Sequence, residues 1–285
     1  MKKKRRLPFP ILFEDDDVIV IDKPAGLLTT HTKLVGRLAR ESQLTAENIL
    51  NDYVRKGQAK SRKRVWLVHR LDRETSGVMM FAKSEEIAEK FRAEWASLTE
   101  KTYRARVGGL LEEEGGAFES YLLEDADGYR VRSVRVGLGT DRVRLGSDRV
   151  ALGSDRVRLG TDRVGLGFDR VGLGSDRVGT ALKDPKATLK DAKDPKTRIG
   201  KFARTEWRRL STTAGTTLVE VKLRTGRKNQ IRVHFSEAGH PVIGDEKYGG
   251  ERASRLYLHA LSLRFRHPRT GEWLEFTAPP PRGFW

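Results

Sequence analysis

Two short apolar runs, Val65-Trp66-Leu67-Val68 and Val78-Met79-Met80-Phe81-Ala82, interrupt a chain in which charged residues are otherwise frequent. Their length and their β-branched or aromatic content predict buried strands. The polar stretch between them, His69 to Gly77, is then a connection held between two core elements. Asp17 to Asp22, Lys101 to Val107, Thr217 to Arg224 and Leu256 to Phe265 read as further strands. Three helices are expected. Thr45 caps one running to Lys56, Ser84 caps one running through Leu98 with Glu85 and Glu86 in its first turn, and Asn229 to Ala238 is closed by Gly239. Strands and helices in irregular alternation predict an α+β domain with a mixed, largely antiparallel sheet and flanking helices.

Residues 134–179 break this pattern with a low-complexity heptad repeat, Asp-Arg-Val-x-Leu-Gly-Ser/Thr, whose Asp-Arg-Val triplets start at Asp141, Asp148, Asp155, Asp162, Asp169 and Asp176. A glycine in every unit, and Val and Leu only two apart, argue against a coiled coil. Spacing of two suits short strands, stacked as a solenoid or run as hairpins. With only two apolar side chains to bury per unit, composition favours disorder over either. Residues 180–200, with Lys-Asp-Pro at 183–185 and 193–195, read as an exposed linker. The expected organisation is a basic arm over 1–10, a first folded part over 11–133, the repeat insertion and linker over 134–200, and a second folded part over 201–285.

A chain of 285 residues with 37% hydrophobic content can bury a sizeable core. No window approaches the ~18 apolar residues of a membrane span. The basic start, Met1 to Arg6, meets Glu14-Asp15-Asp16-Asp17 before any adequate apolar segment, so a cytoplasmic protein is expected rather than a secreted one. With no cysteine there are no disulfides, thiolate zinc sites or iron–sulfur clusters. The formal charge of +17 calls for a polyanionic partner, nucleic acid first. The repeat supplies only +3 of it, and basic clusters recur elsewhere, at Arg204 with Arg208-Arg209 and at Arg224 with Arg227, Lys228 and Arg232. An anionic membrane surface is the competing partner, and no basic amphipathic helix supports it.

The most informative chemistry lies in the connection already singled out. Asp72 stands between Arg70 and Arg73, ahead of Ser76-Gly77. Opposite charge on either side suits a carboxylate that acts ionised, as a nucleophile rather than a general acid. An ordinary ion pair fastening a loop is the plainer alternative. His234, His240 and His259 could instead belong to a metal-dependent hydrolase, but they lack His-x-x-x-His spacing and paired carboxylates.

Taken together, His69-Arg70-Leu71-Asp72-Arg73-Glu74-Thr75-Ser76-Gly77, Lys101-Thr102-Tyr103 and Gly226-Arg227-Lys228-Asn229-Gln230-Ile231-Arg232-Val233-His234 resemble the RluA family of pseudouridine synthases. Asp22 to Leu27, Gly239 to Asp245, Leu258-His259-Ala260 and Ala278-Pro279-Pro280 extend the resemblance over nearly everything but the repeat. It implies the pseudouridine synthase fold and an isomerase that converts a uridine of structured ribosomal or transfer RNA to pseudouridine, with no metal or organic cofactor. Asp72 would be the nucleophile. Tyr103 would pack on the target base and could assist proton removal from C5, Arg232 would pair with Asp72, and Arg70 would fill the gap left by the flipped nucleotide. Arg73, Arg227 and Lys228 would contact RNA. The bond to be broken is inaccessible in a stacked base, so flipping is required.

Asn229 stands where the family usually has histidine, and it can still donate and accept. The motifs begin by about residue 11, so the small N-terminal RNA-binding module of many relatives is expected to be absent. A monomer is expected. The alternative from another class is a catalytically silent RNA-binding protein of the same fold.

Overall fold

A computed structural model of the chain describes residues 7–31, 44–58, 60–125, 129–134, 142–145, 148–152 and 198–284. These form two compact units, one comprising the described residues up to Glu119 together with Ala203 onward, the other Ser120–Phe202.

The larger unit is built on a sheet. Its strands are β1 (Ile11–Glu14), β2 (Val18–Lys23), β3 (Trp66–Leu67), β4 (Ser76–Ala82), β5 (Thr99–Gly108), β11 (Thr216–Leu223), β12 (Leu258–Arg266) and β13 (Trp273–Thr277), with parts of β6 (Gly115–Glu124) and β10 (Arg198–Thr213). They run in the order β1-β2-β4-β12-β5-β11-β10, with β3 on β4 and β13 on β12. The pairing of β4 with β12 is parallel and the other strand pairings described in this unit are antiparallel, the mixed sheet that the apolar pattern predicts.

The helices start where their caps say they should. Thr45 accepts from the Asn48 N–H at 3.1 Å to open α1 (Ala46–Arg55), and Ser84 accepts from the Ile87 N–H at 3.2 Å to open α2 (Glu85–Leu98). The third helix, α3 (Gln230–Glu237), follows Asn229, whose φ of 53° is a left-handed conformation that Asn tolerates better than most residues.

Every residue of β4 is buried. On one face Val78 and Met80 pack with Val18 and Val20 of β2, Leu263 and Phe265 of β12, and Ala88 and Phe91 of α2. The opposite face carries Ile19, Ile21, Met79 and Phe81, also fully buried. Each such large side chain contributes about 1.5–3 kcal/mol when taken from water. This double burial explains why the run reads as continuously apolar.

The remaining unit contains a hairpin of β6 with β7 (Val131–Val134), and a second hairpin of β8 (Arg142–Leu145) with β9 (Asp148–Leu152). Arg198–Gly200 of β10 runs parallel to Val150–Leu152. The β8–β9 hairpin falls within the repeat and has the strand spacing its Val and Leu positions offer. The expectation of disorder for the rest of 134–200, and the basic arm over residues 1–6, lie outside the described residues.

One glycine fixes the geometry beneath the Asp72 connection. Gly77 has φ +116°, and a Cβ there would lie 2.1 Å from the Ala260 carbonyl oxygen of β12. The β4–β12 pairing extends only over His259–Ser76 and Ala260–Gly77, so this close approach sets where the connection enters the sheet. Gly77→Ala is expected to lower unfolding free energy by about 3 kcal/mol or more, read as a fall in the urea midpoint. An unchanged midpoint would contradict this register.

Candidate active site

The connection from β3 to β4 is fastened almost wholly through its backbone. The Thr29 hydroxyl donates to the Leu71 carbonyl at 2.8 Å and accepts the Leu71 N–H at 3.3 Å. On the other side of Asp72, the Arg73 carbonyl accepts from the Gly26 N–H at 2.8 Å and from Lys23 Nζ at 3.1 Å. Lys23 also donates to the carbonyls of Pro24 and Leu27, both at 2.8 Å, and its side chain is fully buried. Burial pulls its pKa down to about 8, against the opposing pull of the Glu74 and Asp72 carboxylates.

His69 supplies another fastening. Its Nε2 accepts the Met80 N–H at 3.0 Å, at a point on β4 between the residues paired to β12 and those paired to β3. The ring lies 4.7 Å from that of Trp95, and burial, helped by the Lys101 charge, lowers its pKa to about 3. His69 is therefore neutral, with its proton on Nδ1.

With both neighbours held, the Asp72 side chain is left about one-quarter exposed, with one oxygen 3.4 Å from Arg232 Nη1. Arg232 is itself gripped from behind. Its Nε and Nη2 donate to the two oxygens of Asp245 at 2.6 and 2.7 Å, a bidentate pair whose carboxylate is entirely buried. Nη1 also donates to Asn229 Oδ1 at 3.3 Å, and the guanidinium lies 5.1 Å from the Tyr248 ring. Asn229 in turn donates to the Tyr248 hydroxyl at 2.9 Å, and Asp245 accepts the Tyr248 N–H at 3.2 Å. Gln230 ties the preceding turn to β10, accepting from Thr225 and the Arg227 N–H and donating to the Arg204 carbonyl and Thr205.

Tyr103 projects from β5 into the same place. It is buried, and burial first, then the nearby Asp72 charge, pushes its phenol above the ordinary tyrosine range. Behind β4 runs a further chain. His259 Nε2 faces the Ala278 carbonyl at 2.9 Å, which can only accept, so Nδ1 accepts from the Ser76 hydroxyl at 2.8 Å. Ser76 Oγ then takes a hydrogen bond from Arg255 Nη2 at 2.6 Å.

A fastened loop presenting one carboxylate to a held arginine and a buried tyrosine agrees with what the sequence of residues 17–237 matches: the family model described as RNA pseudouridylate synthase. The chain belongs to that family of isomerases. Similar proteins include the dual-specificity RNA pseudouridine synthase RluA of Vibrio parahaemolyticus, 29% identical over 93% of this chain and 80% of that protein. Ribosomal large subunit pseudouridine synthase C of Pasteurella multocida is 28% identical over 98% of this chain and 67% of its own length. tRNA pseudouridine synthase C of V. parahaemolyticus is 29% identical over 94% and 89%. The fold is shared with a solved structure titled human RNA pseudouridylate synthase domain containing 4, with a TM-score of 0.60 and 21% identity, covering 96% of this chain and 89% of that one.

In this pseudouridylate synthase, Asp72, Tyr103 and Arg232 come together from a loop, a strand and a helix. The arginines flanking Asp72 do not pair with it: Arg73 donates to the Gly26 carbonyl at 3.1 Å and lies 3.5 Å from Glu74, and Arg70 is exposed. The ion-pair partner of Asp72 is Arg232, 160 residues away. Arg227 and Lys228 are exposed on the turn before α3. The three histidines weighed as metal ligands do not converge. His234 is bonded to Thr205 at 2.8 Å, His240 to the Gly108 carbonyl at 2.8 Å, and His259 as above.

Part of the basic character read from the sequence is neutralised within the sheet. Arg204 pairs with Glu119 and Glu206, Arg208 with Glu220, and Arg224 with Glu206. No described helix is long and apolar enough to cross a membrane. Sequence reasoning gave no role to Lys23, Thr29, Asp245 or Tyr248. For Asp245 the one available signal is an acid inside an apolar-flanked motif, Val242-Ile243-Gly244-Asp245.

Two outcomes follow from these buried charges. Asp245→Ala leaves Arg232 without its bidentate acceptor, and is expected to lower unfolding free energy by about 3–5 kcal/mol; an unchanged urea midpoint would show that the pair is not built this way. For Lys23 the ammonium is disfavoured in the folded chain below its folded pKa of about 8, and that penalty fades as pH rises from 8 toward the ordinary value of 10.5. Stability should therefore gain up to about 1.4 kcal/mol per pH unit across that window from this group. Lys23→Met should lose that gain in a urea series, and a pH dependence identical to wild type would refute the assignment.

Proposed function

We propose that the chain converts specific uridines of ribosomal or transfer RNA to pseudouridine, with Asp72 as the nucleophile. The observation that carries this reading is the Asp72–Arg232 pair facing Tyr103. A partly exposed carboxylate on a loop fastened through its backbone pairs with Arg232, close enough to the buried Tyr103 phenol for its charge to act there. The N1–C1′ bond of the uridine breaks, the base turns, and a C5–C1′ bond forms. The proton leaving C5 is balanced by one gained at N1, so nothing is consumed and no co-reactant is needed.

Arg232 orients the nucleophile, with Nε and Nη2 occupied by Asp245. Tyr103 offers its ring for stacking, worth about 1–3 kcal/mol per base. A phenol whose proton is held more tightly than usual is a better face and donor than a base, so of its two expected roles we favour packing against the uracil. Arg70, exposed two residues before the nucleophile, is suited to support the vacancy left by the flipped nucleotide. Arg73, Arg227 and Lys228 supply positive charge for phosphates around the same mouth. The similar ribosomal large subunit and tRNA pseudouridine synthases support both RNA classes as candidate substrates.

Asp72→Asn keeps the shape and removes the nucleophile. It is expected to lower turnover by roughly 10⁴-fold or more, measured as tritium released from RNA labelled at uridine C5, while RNA affinity stays within a few-fold. Mass-spectrometric mapping of pseudouridine in RNA from cells with the gene, without it, and with the Asp72→Asn copy then names the substrate. Full turnover by the variant would sink the mechanism. Intact RNA binding with no site lost in either cell line would point to a silent RNA-binding protein.

A further inference from the structure

Asp72 and Asp245 come from distant parts of the chain, and the side chain of Arg255 spans from the segment of one to the loop of the other. Its backbone is seated beside Asp245. A Cβ on Gly244 would collide with the Arg255 carbonyl, the Gly244 N–H donates to the Glu251 carbonyl at 2.7 Å, and the Gly250 N–H donates to the Asp245 carbonyl at 2.8 Å. Tyr257, two residues on, donates its N–H to the Ile243 carbonyl at 2.9 Å. The segment that bears Arg255 is thus locked to the residues around Asp245, the carboxylate that grips Arg232.

The side chain runs the other way. Nη2 donates to Ser76 Oγ at 2.6 Å and Nε to the Leu256 carbonyl at 3.2 Å, while the guanidinium lies 5.6 Å from the Phe284 ring, which also flanks His259. Ser76 ends the connection that carries Asp72, and the N–H of Thr75 before it donates to the Asp72 carbonyl at 3.2 Å. The Ser76 hydroxyl already gives its proton to His259, so it is satisfied without Arg255. The bond from Arg255 is surplus to that buried hydroxyl and instead joins two pieces of chain. Resting on the reading of Asp72 as nucleophile, we propose that Arg255 is a positioning residue, which sets the separation of Asp72 and Arg232 by tying Ser76 to the Asp245 segment. Arg232 is fixed to Asp245 and Asp72 to its loop, so the 3.4 Å between them follows from how segment and loop are spaced. Misplacing such a group by about 1 Å can slow a reaction by about 100-fold.

The test uses the full chain and bulk RNA from cells lacking the gene, labelled with tritium at uridine C5. Single-turnover rates at saturating protein are compared with RNA affinity from fluorescence anisotropy. Arg255→Met is expected to slow the saturated rate roughly 10- to 100-fold while RNA affinity stays within about twofold. Arg255→Lys, which can still donate to Ser76, should recover most of the rate. Ser76→Ala removes the acceptor and should slow the reaction as Arg255→Met does. The double variant should be no slower than the slower single one, since both changes cut the same bond. A wild-type rate in Arg255→Met would overturn the proposal, and so would equal losses in Arg255→Met and Arg255→Lys or losses that multiply in the double variant. Weaker RNA binding with an unchanged saturated rate would also overturn it, and make Arg255 a phosphate contact. Full turnover by Asp72→Asn would overturn the nucleophile reading, and this assignment with it.

Discussion

The arrangement around Asp72 depends on a buried ion pair in which Asp72 itself is only the outer member. Asp245 takes the Nε and Nη2 edge of Arg232, and the remaining Nη1 is directed to Asp72 and Asn229. A guanidinium is a rigid fork, so fixing one edge fixes the direction of the rest. Buried ion pairs are poor sources of net stability, because removing two charges from water offsets most of their attraction. What this one supplies is direction. It joins α3 to the turn at Glu246–Tyr248, and turns the remaining edge of the guanidinium to the loop that carries Asp72.

The loop meets that arginine from a frame made of unlike parts. Thr29, Gly26, Lys23 and His69 all bond to main-chain groups, so the fastening leaves the side chains of Arg70 and Asp72 uncommitted to it. Lys23 is the extreme case: a fully buried ammonium that donates to three main-chain carbonyls. An apolar residue could fill its space but could not draw three backbone oxygens from two segments to one point. The frame is paid for in desolvation, visible as the depressed pKa of Lys23, and what it gives in return is a carboxylate, Asp72, whose position is set by the fold itself.

Legibility in the sequence followed the range of the interaction. Thr45 and Ser84 announce their helices because a cap acts over three residues, and β2, β4, β5, β11 and β12 show in the apolar pattern because each buries at least one face. β10 was read as a basic cluster instead of a strand. Its inward face is only Ala203, Thr205 and Trp207, while Arg204, Glu206 and Arg208 alternate with them, Arg204 pairing with Glu119 of β6 and with Glu206, and Arg208 with Glu220 of β11. Asp72 and Tyr103 stand in recognisable local motifs. The partnership of Asp245 with Arg232 does not, because the two are joined across separate elements and neither neighbourhood betrays the other. For the same reason the flanking arginines of Asp72 looked like its partners, although the strand–loop geometry turns Arg73 toward Gly26 and Glu74.

The distribution of paired and unpaired cations sharpens what a net charge of +17 can mean. Arg204 and Arg208 of β10 and Arg224, just after β11, are balanced by acids within the sheet, and such largely exposed pairs, screened and flexible, add little to stability and little to the field beyond a Debye length. Beside Asp72 the balance differs. Among the described residues Arg70 and Lys101 carry no ion-pair partner, although carboxylates are common elsewhere in the chain. Charge left unpaired in a folded protein costs stability unless a ligand completes it. Here one cation stands on the loop that carries Asp72 and one on the strand that carries Tyr103, while the arginine of Asp72 itself is already held in place by Asp245.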